Sequence, residues 1–376
     1  MCVPGPVNAG GLSFEELCAG EADLLLDPAI PDEDAAALEA QVRLDVVAVE
    51  EEFELPFEAR PRIHDLATAP RYAAALRGLF GYSAATARWA ADNSVAFFEP
   101  AARTIAVNWE AIAARRPIAA IRHELTHLLT LRACRPRCDL VPAWLNEGQA
   151  HLAEATIQPG GWRELRLRYE AASQAATGTL LPLAALETQE SWNAVVGWAG
   201  YYKYQQAARV TELLRADVGG SAPIARLYER IRGGQSVAAA YAAMTGRSFA
   251  AFVDELPRRL GDAAAPGIAT TRGTPQGPGL SYVLYGFEPA SEITVAIEGP
   301  GASTREAVRV SPQGAAFAWL DDTWPSGRYA LTAIAAGICR TVGVSKSGGR
   351  RSLTDREASP QLGRACAPPR VSARRL

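Results

Sequence analysis

Histidine is nearly missing from this chain: 376 residues contain four. A motif built on paired imidazoles is therefore not a by-product of histidine abundance. Long apolar runs are missing as well, and no stretch approaches the ~18 consecutive apolar residues that a membrane-crossing helix needs. One-sided charge is missing too. Lys and Arg total 38 against 41 for Asp and Glu, a net charge of -3, which excludes a general electrostatic affinity for nucleic acid. The opening Met1-Cys2-Val3-Pro4-Gly5-Pro6 lacks the basic and apolar regions of a secretory signal. Cys2 would suit the first residue of a processed lipoprotein, so a lipid anchor there is one expectation.

What is present describes a globular protein. Hydrophobic residues make up 48% and charged residues 21%, enough apolar content to bury a core, and the length allows two domains. Six cysteines form an even set whose sequence neighbours pair as Cys2–Cys18, Cys134–Cys138 and Cys339–Cys366, although six cysteines allow about 15 connectivities. The even count favours an oxidising compartment, and an extracytoplasmic location is expected.

The pattern along the chain predicts an α+β fold. Residues 1–30 are rich in Gly and Pro and read as a flexible segment. Residues 31–261 read as one mainly helical domain with a small N-terminal β-sheet. Residues 262–279, rich in Ala, Gly, Pro and Thr, read as a linker. Residues 280–345 alternate over six or seven short runs and predict a small all-β sandwich. Residues 346–376 read as a flexible tail. Within the first domain, Ser94–Phe98 and Arg103–Val107 predict a hairpin. Residues 117–132 predict a helix with Pro117 in its first turn, and Ala143–Ala155 a second helix after a Cys/Pro/Arg loop.

The first of these helices carries His123-Glu124-Leu125-Thr126-His127. Residues four apart share a helix face, so two imidazoles can reach one ion. Glu124 stands beside the first, within reach of a water held by that ion. A third protein ligand is needed, and the second helix offers it. Glu147, in Pro-Ala-Trp-Leu-Asn-Glu-Gly-Gln-Ala-His, is the best candidate. His151, one turn on, is its competitor, as ligand or as a hydrogen-bond partner of His123 or His127. Glu154 reads as a solvent-facing residue and a weaker candidate. His64, on a predicted strand far upstream, reads as structural.

His-Glu-x-x-His followed by Trp-Leu-Asn-Glu-Gly resembles the gluzincin zinc metallopeptidases, the thermolysin and aminopeptidase N clan, and most of all their peptidase MA-like bacterial domains. The resemblance covers about residues 60–260. It implies a thermolysin-like fold holding one Zn2+ per chain on His123, His127 and Glu147, with Glu124 as general base. It also implies an oxyanion-stabilising tyrosine, placed at Tyr204, with Tyr201 and Tyr202 as neighbours that could take the role. Arg103–Asn108 falls where the clan keeps an edge strand that aligns extended substrate. Two features depart from the clan. His151 stands where thermolysin-like enzymes carry an acid, and a cysteine-bearing insertion separates the two ligand helices. The β-region at Gly286-Phe-Glu-Pro-Ala-Ser-Glu-Ile-Thr-Val resembles immunoglobulin-like modules.

The expected activity is zinc-dependent hydrolysis of a peptide or protein substrate. The rivals are a catalytically silent surface-binding protein that retains the peptidase fold, and a zinc hydrolase of a non-peptide amide or ester.

Overall fold

A computed structural model describes residues 5–100, 103–113, 118–261, 266–300, 302–321, 323–325, 327–335, 338–346, 361–362 and 364–365. In chain order the first elements are β1 (Gly5–Ala9), β2 (Leu12–Ala19), β3 (Ala22–Leu26), α1 (Asp32–Phe53), β4 (Arg62–Leu66), α2 (Ala69–Phe80), α3 (Ala84–Asn93), β5 (Ala96–Glu99), β6 (Thr104–Asn108) and α4 (Trp109–Ile112). The helices α5 (Ala120–Cys134), α6 (Ala143–Ala155), α7 (Trp162–Ala176), α8 (Gln189–Ala194), α9 (Gly197–Val218), α10 (Ser221–Arg232), α11 (Val237–Thr245) and α12 (Phe249–Leu260) follow. The chain then turns to strands: β7 (Gly267–Thr274), β8 (Gly277–Tyr285), β9 (Glu292–Gly299), β10 (Ala302–Arg309), β11 (Ala316–Asp321), β12 (Gly327–Ala335), β13 (Ile338–Lys346), β14 (Gln361–Leu362) and β15 (Arg364–Ala365). The fold is mixed α/β, and no helix among the described residues is long and apolar enough to cross a membrane.

Contacts divide the chain into two units, Met1–Ile157 with Leu181–Val195 and Ala207–Asp254, and Gln158–Leu180 with Val196–Gln206 and Glu255–Leu376. The boundary therefore does not fall at residue 261, as the change in composition predicted. α7 belongs with the C-terminal strands because Leu165 and Tyr169 bury against Ala269, Val283 and Tyr285. A helix chosen by packing leaves no mark in local composition.

The first unit is built on a six-stranded sheet in the order β1-β2-β3-β4-β6-β5. β3, β4 and β6 run parallel, while β5 returns antiparallel to β6 and forms an edge. Leu25, Leu66 and Ala106 on one face meet Tyr72, Ala75 and Leu76 of α2 and Ala87 and Ala90 of α3. α1 and α5 are joined by a buried ion pair, Arg122 Nε to Asp45 Oδ1 at 2.8 Å.

Two expectations fail here. Residues 5–26 are not a flexible segment but three strands, because their glycines are turn residues. Gly10 and Gly11, at φ 57° and 78°, make the two-residue turn between Ala9 and Leu12, the backbone twist that a tight hairpin favours. Gly10 also lies so close to α2 that a Cβ on Gly78 would sit 2.1 Å from its carbonyl oxygen. The strand assigned to substrate alignment, Arg103–Asn108, is interior: β6 lies between β4 and β5. The edge is β5.

In the second unit, the sheets β10-β9-β12-β13-β15 and β11-β8-β7-β14 enclose an apolar cluster. It draws Ile268, Tyr282 and Leu284 from one sheet and Ile293, Val295, Ile297, Tyr329 and Leu331 from the other. The sandwich begins at Gly267, inside the stretch predicted to be a linker. The run Ile268-Ala-Thr-Thr carries β-branched residues suited to a covered strand, and Pro275-Gln276 forms its turn into β8. In the predicted tail, Gln361–Leu362 pair with β7 and Arg364–Ala365 with β13. The rest of that tail and Pro117 lie outside the described residues.

Cys134 and Cys138 form a disulfide, as predicted. Cys18 and Cys339 are also disulfide-bonded; Cys2 and Cys366, the partners predicted for them, lie outside the described residues.

His64 is buried on β4, with its ring edge-on to Phe14 at 4.9 Å and its Nδ1 without a partner. Burial first, then the nearby Arg62 charge, lowers its pKa from 6.5 to about 4. The folded protein binds this proton less readily than the unfolded chain. Its stabilising contribution is whole above about 6.5 and is lost as pH falls through about 4. Between pH 7 and 4.5, metal-free wild type should lose more of its urea midpoint than His64→Leu does. Equal losses would contradict this assignment.

Candidate metal centre

The site residues sit on two neighbouring helices of the first unit. α5 presents His123 and His127 one turn apart, with ring centres 4.8 Å apart. α6 opens after Pro142 and carries Glu147 in its second turn. Glu147 Oε2 lies 3.7 Å from His123 Nε2 and 3.7 Å from His127 Nε2. Each of the three offers one ligand atom, and these atoms lie within 4.8 Å of one another. A tetrahedral ion with bonds of about 2.0–2.1 Å separates its ligand atoms by roughly 3.3 Å, so each Glu147–imidazole distance is within a few tenths of an ångström of that spacing. The group can hold a metal.

Both imidazoles have a polar neighbour behind the ring. His127 Nδ1 stands 3.0 Å from the Asn146 side-chain oxygen, within hydrogen-bonding geometry. His123 Nδ1 stands 3.4 Å from Glu154 Oε2, a charge contact outside hydrogen-bonding geometry. An acceptor such as Asn146 keeps the proton on Nδ1 and leaves the Nε2 lone pair for a cation. Both Nε2 atoms are the ones that face Glu147. His151, the competitor for third ligand, has Nδ1 3.2 Å from the same Glu154 oxygen. With His123 and Glu154 it makes an overlapping set of potential ligands.

Glu154 is a correction. It was read as solvent-facing, yet its side chain is 18% exposed and touches a candidate ligand. The signal was in the sequence: Glu147, His151 and Glu154 are spaced as one stripe of a helix. Asn146 was not singled out, although it adjoins Glu147 in the motif.

Glu124 is buried beside the two imidazoles. Burial raises its pKa. His123 and His127 pull it down, and Glu147 and Glu154 push it up. For His123, burial opposes charging, but contacts with Glu147 and Glu154 and the Glu124 charge outweigh it and raise its pKa to about 10.

The helices are fixed around this cluster. A Cβ on Gly148 would stand 2.5 Å from the Ala207 carbonyl oxygen and 2.4 Å from Thr211 Oγ1, so the residue after Glu147 must be glycine for α6 to lie this close to α9. Gln149 donates to Glu52 of α1 at 2.5 Å. The disulfide pins the loop between α5 and α6.

The three tyrosines belong to the second unit's part of α9. Tyr202 is buried and donates to the Ala315 carbonyl at 3.4 Å. Tyr201 is exposed, with its hydroxyl 3.5 Å from Glu170. Tyr204 is half-buried, with Lys203 Nζ 5.6 Å from its ring centre.

No protein-family model matches the chain, and no curated protein matches it.

With its pKa raised to about 10, His123 would keep a second proton at neutral pH in the metal-free protein, and an ion bound at Nε2 would displace it. Zinc affinity, read by chelator competition, should strengthen about tenfold per pH unit between pH 6 and 8 for one displaced proton. An affinity independent of pH would contradict the assignment of His123.

Proposed function

We propose that the chain is a gluzincin-type zinc peptidase with one ion per chain on His123, His127 and Glu147. The observation that carries this reading is the buried Glu124 carboxyl beside two imidazoles whose Nε2 atoms converge on Glu147. A structural metal needs no such fourth residue; a hydrolytic one does. The two-histidine, one-carboxylate donor set suits zinc and leaves a position open.

Bound there, the ion supplies Lewis acidity, acidifying a water and polarising the scissile carbonyl. Glu124 takes the proton from the attacking water and passes it to the leaving amine. Asn146 holds the His127 imidazole in register, and Glu154 stands 3.4 Å behind that of His123.

An extended substrate chain has a place to align. The outer edge of β5 is unpaired among the described residues, and β5 lies alongside α5. Edge addition of this kind recognises backbone rather than side chains and favours a peptide over a small amide or ester. The disulfides agree with an extracytoplasmic site of action.

Glu124→Gln should still bind one zinc per chain with the wild-type fold, while hydrolysis of a peptide library falls by at least about a thousandfold. Retained hydrolysis would sink the mechanism. The resemblance assigns the oxyanion-holding hydroxyl to Tyr204. Tyr204→Phe should lower kcat by about ten- to a hundredfold with KM and zinc affinity unchanged. An unchanged kcat would remove Tyr204 from the reaction.

A further inference from the structure

The carboxylate behind His123 comes from Glu154, seven positions and two helical turns past Glu147 on α6. A glutamate side chain has three rotatable bonds and samples many positions unless something stops it. Glu154 is 18% exposed, so burial alone does not fix its carboxylate. The oxygen that faces His123 has a second neighbour from the protein. His151 precedes Glu154 by three residues, on the same helix face, and its Nδ1 lies 3.2 Å from Glu154 Oε2. That oxygen lies 3.4 Å from His123 Nδ1. One carboxylate oxygen thus lies between two imidazoles, hydrogen-bonded to His151 and in charge contact with His123.

We propose that His151 is a positioning residue for the metal ligand His123, acting through Glu154. His151 donates from Nδ1 and fixes the Glu154 carboxylate. The fixed carboxylate faces His123 Nδ1 at 3.4 Å, and closing that contact into a hydrogen bond would turn the His123 Nε2 lone pair towards the ion. The histidine that looked like a rival ligand thereby supports the ligand set without joining it. Neither residue of the pair needs to change protonation. This inference rests on reading His123, His127 and Glu147 as the metal site.

The test is zinc affinity of the full chain by chelator competition at one pH, with no substrate present. His151→Ala should weaken binding about tenfold and Glu154→Ala by up to about a hundredfold, the range seen when such supporting groups are removed. The double variant should be no weaker than Glu154→Ala, because His151 acts only through Glu154. His151→Asn should recover wild-type affinity, since its amide nitrogen branches from the side chain where Nδ1 does. Unfolding of the metal-free protein should be the same for wild type and His151→Asn. Wild-type affinity in His151→Ala, additive losses in the double variant, or no recovery with Asn would overturn the proposal. So would a second zinc in wild type that His151→Ala removes, because His123, His151 and Glu154 would then be a cation site of their own. If wild type itself binds no zinc, the metal-site reading falls and this inference with it. If wild type binds zinc and His151→Ala binds it equally well, only the positioning role falls.

Discussion

Three carboxyl groups, those of Glu124, Glu147 and Glu154, are crowded with three imidazoles in a region of the first unit that water barely reaches. Three unscreened negative charges so close together are costly in a low-dielectric setting. Only positive charge relieves them. Without an ion, protons serve: against the effect of burial, these carboxyl neighbours push the His123 pKa up to about 10, and burial, with Glu147 and Glu154, raises that of Glu124. A divalent ion would do the same, because the three Nε2 and Oε2 atoms converge as a group that could hold one. The surrounding structure keeps this charged cluster from spreading. The Arg122–Asp45 pair ties α5 to α1 immediately before His123. The contact at Gly148 seats α6 immediately after Glu147.

Much of this site was legible from spacing alone. Helical periodicity placed His123, Glu124 and His127, and the structure puts Glu147 within 3.7 Å of both imidazoles. What escaped was the supporting layer. Asn146 and Glu154 were legible only by asking which residues share a helix face with a ligand, instead of judging each residue by its charge. A glutamate is usually solvated, so the bland reading of Glu154 was reasonable. Its neighbours His123 and His151 decide otherwise.

The fold was less legible where the chain uses small residues. Glycines at positions 10, 11 and 20 suggested flexibility, yet each sits at a positive φ in a hairpin turn. Composition alone does not separate a turn between strands from a disordered segment. The sheet order was equally hidden. A hairpin of β5 and β6 followed from the sequence, but which strand lies outside depends on β4 pairing with β6, a contact between segments some 40 residues apart. Likewise α7 reads as one more helix of the first domain until the burial of Leu165 and Tyr169 against β7 and β8 is known.

The central claim is that His123, His127 and Glu147 hold one zinc ion. X-ray absorption at the zinc edge, on protein loaded with one equivalent, tests it most directly. The account predicts a shell of nitrogen and oxygen neighbours at about 2.0–2.1 Å, with outer-shell scattering from two imidazoles that disappears in the His123→Ala/His127→Ala variant. Sulfur neighbours at about 2.3 Å, or a spectrum the double variant leaves unchanged, would contradict it.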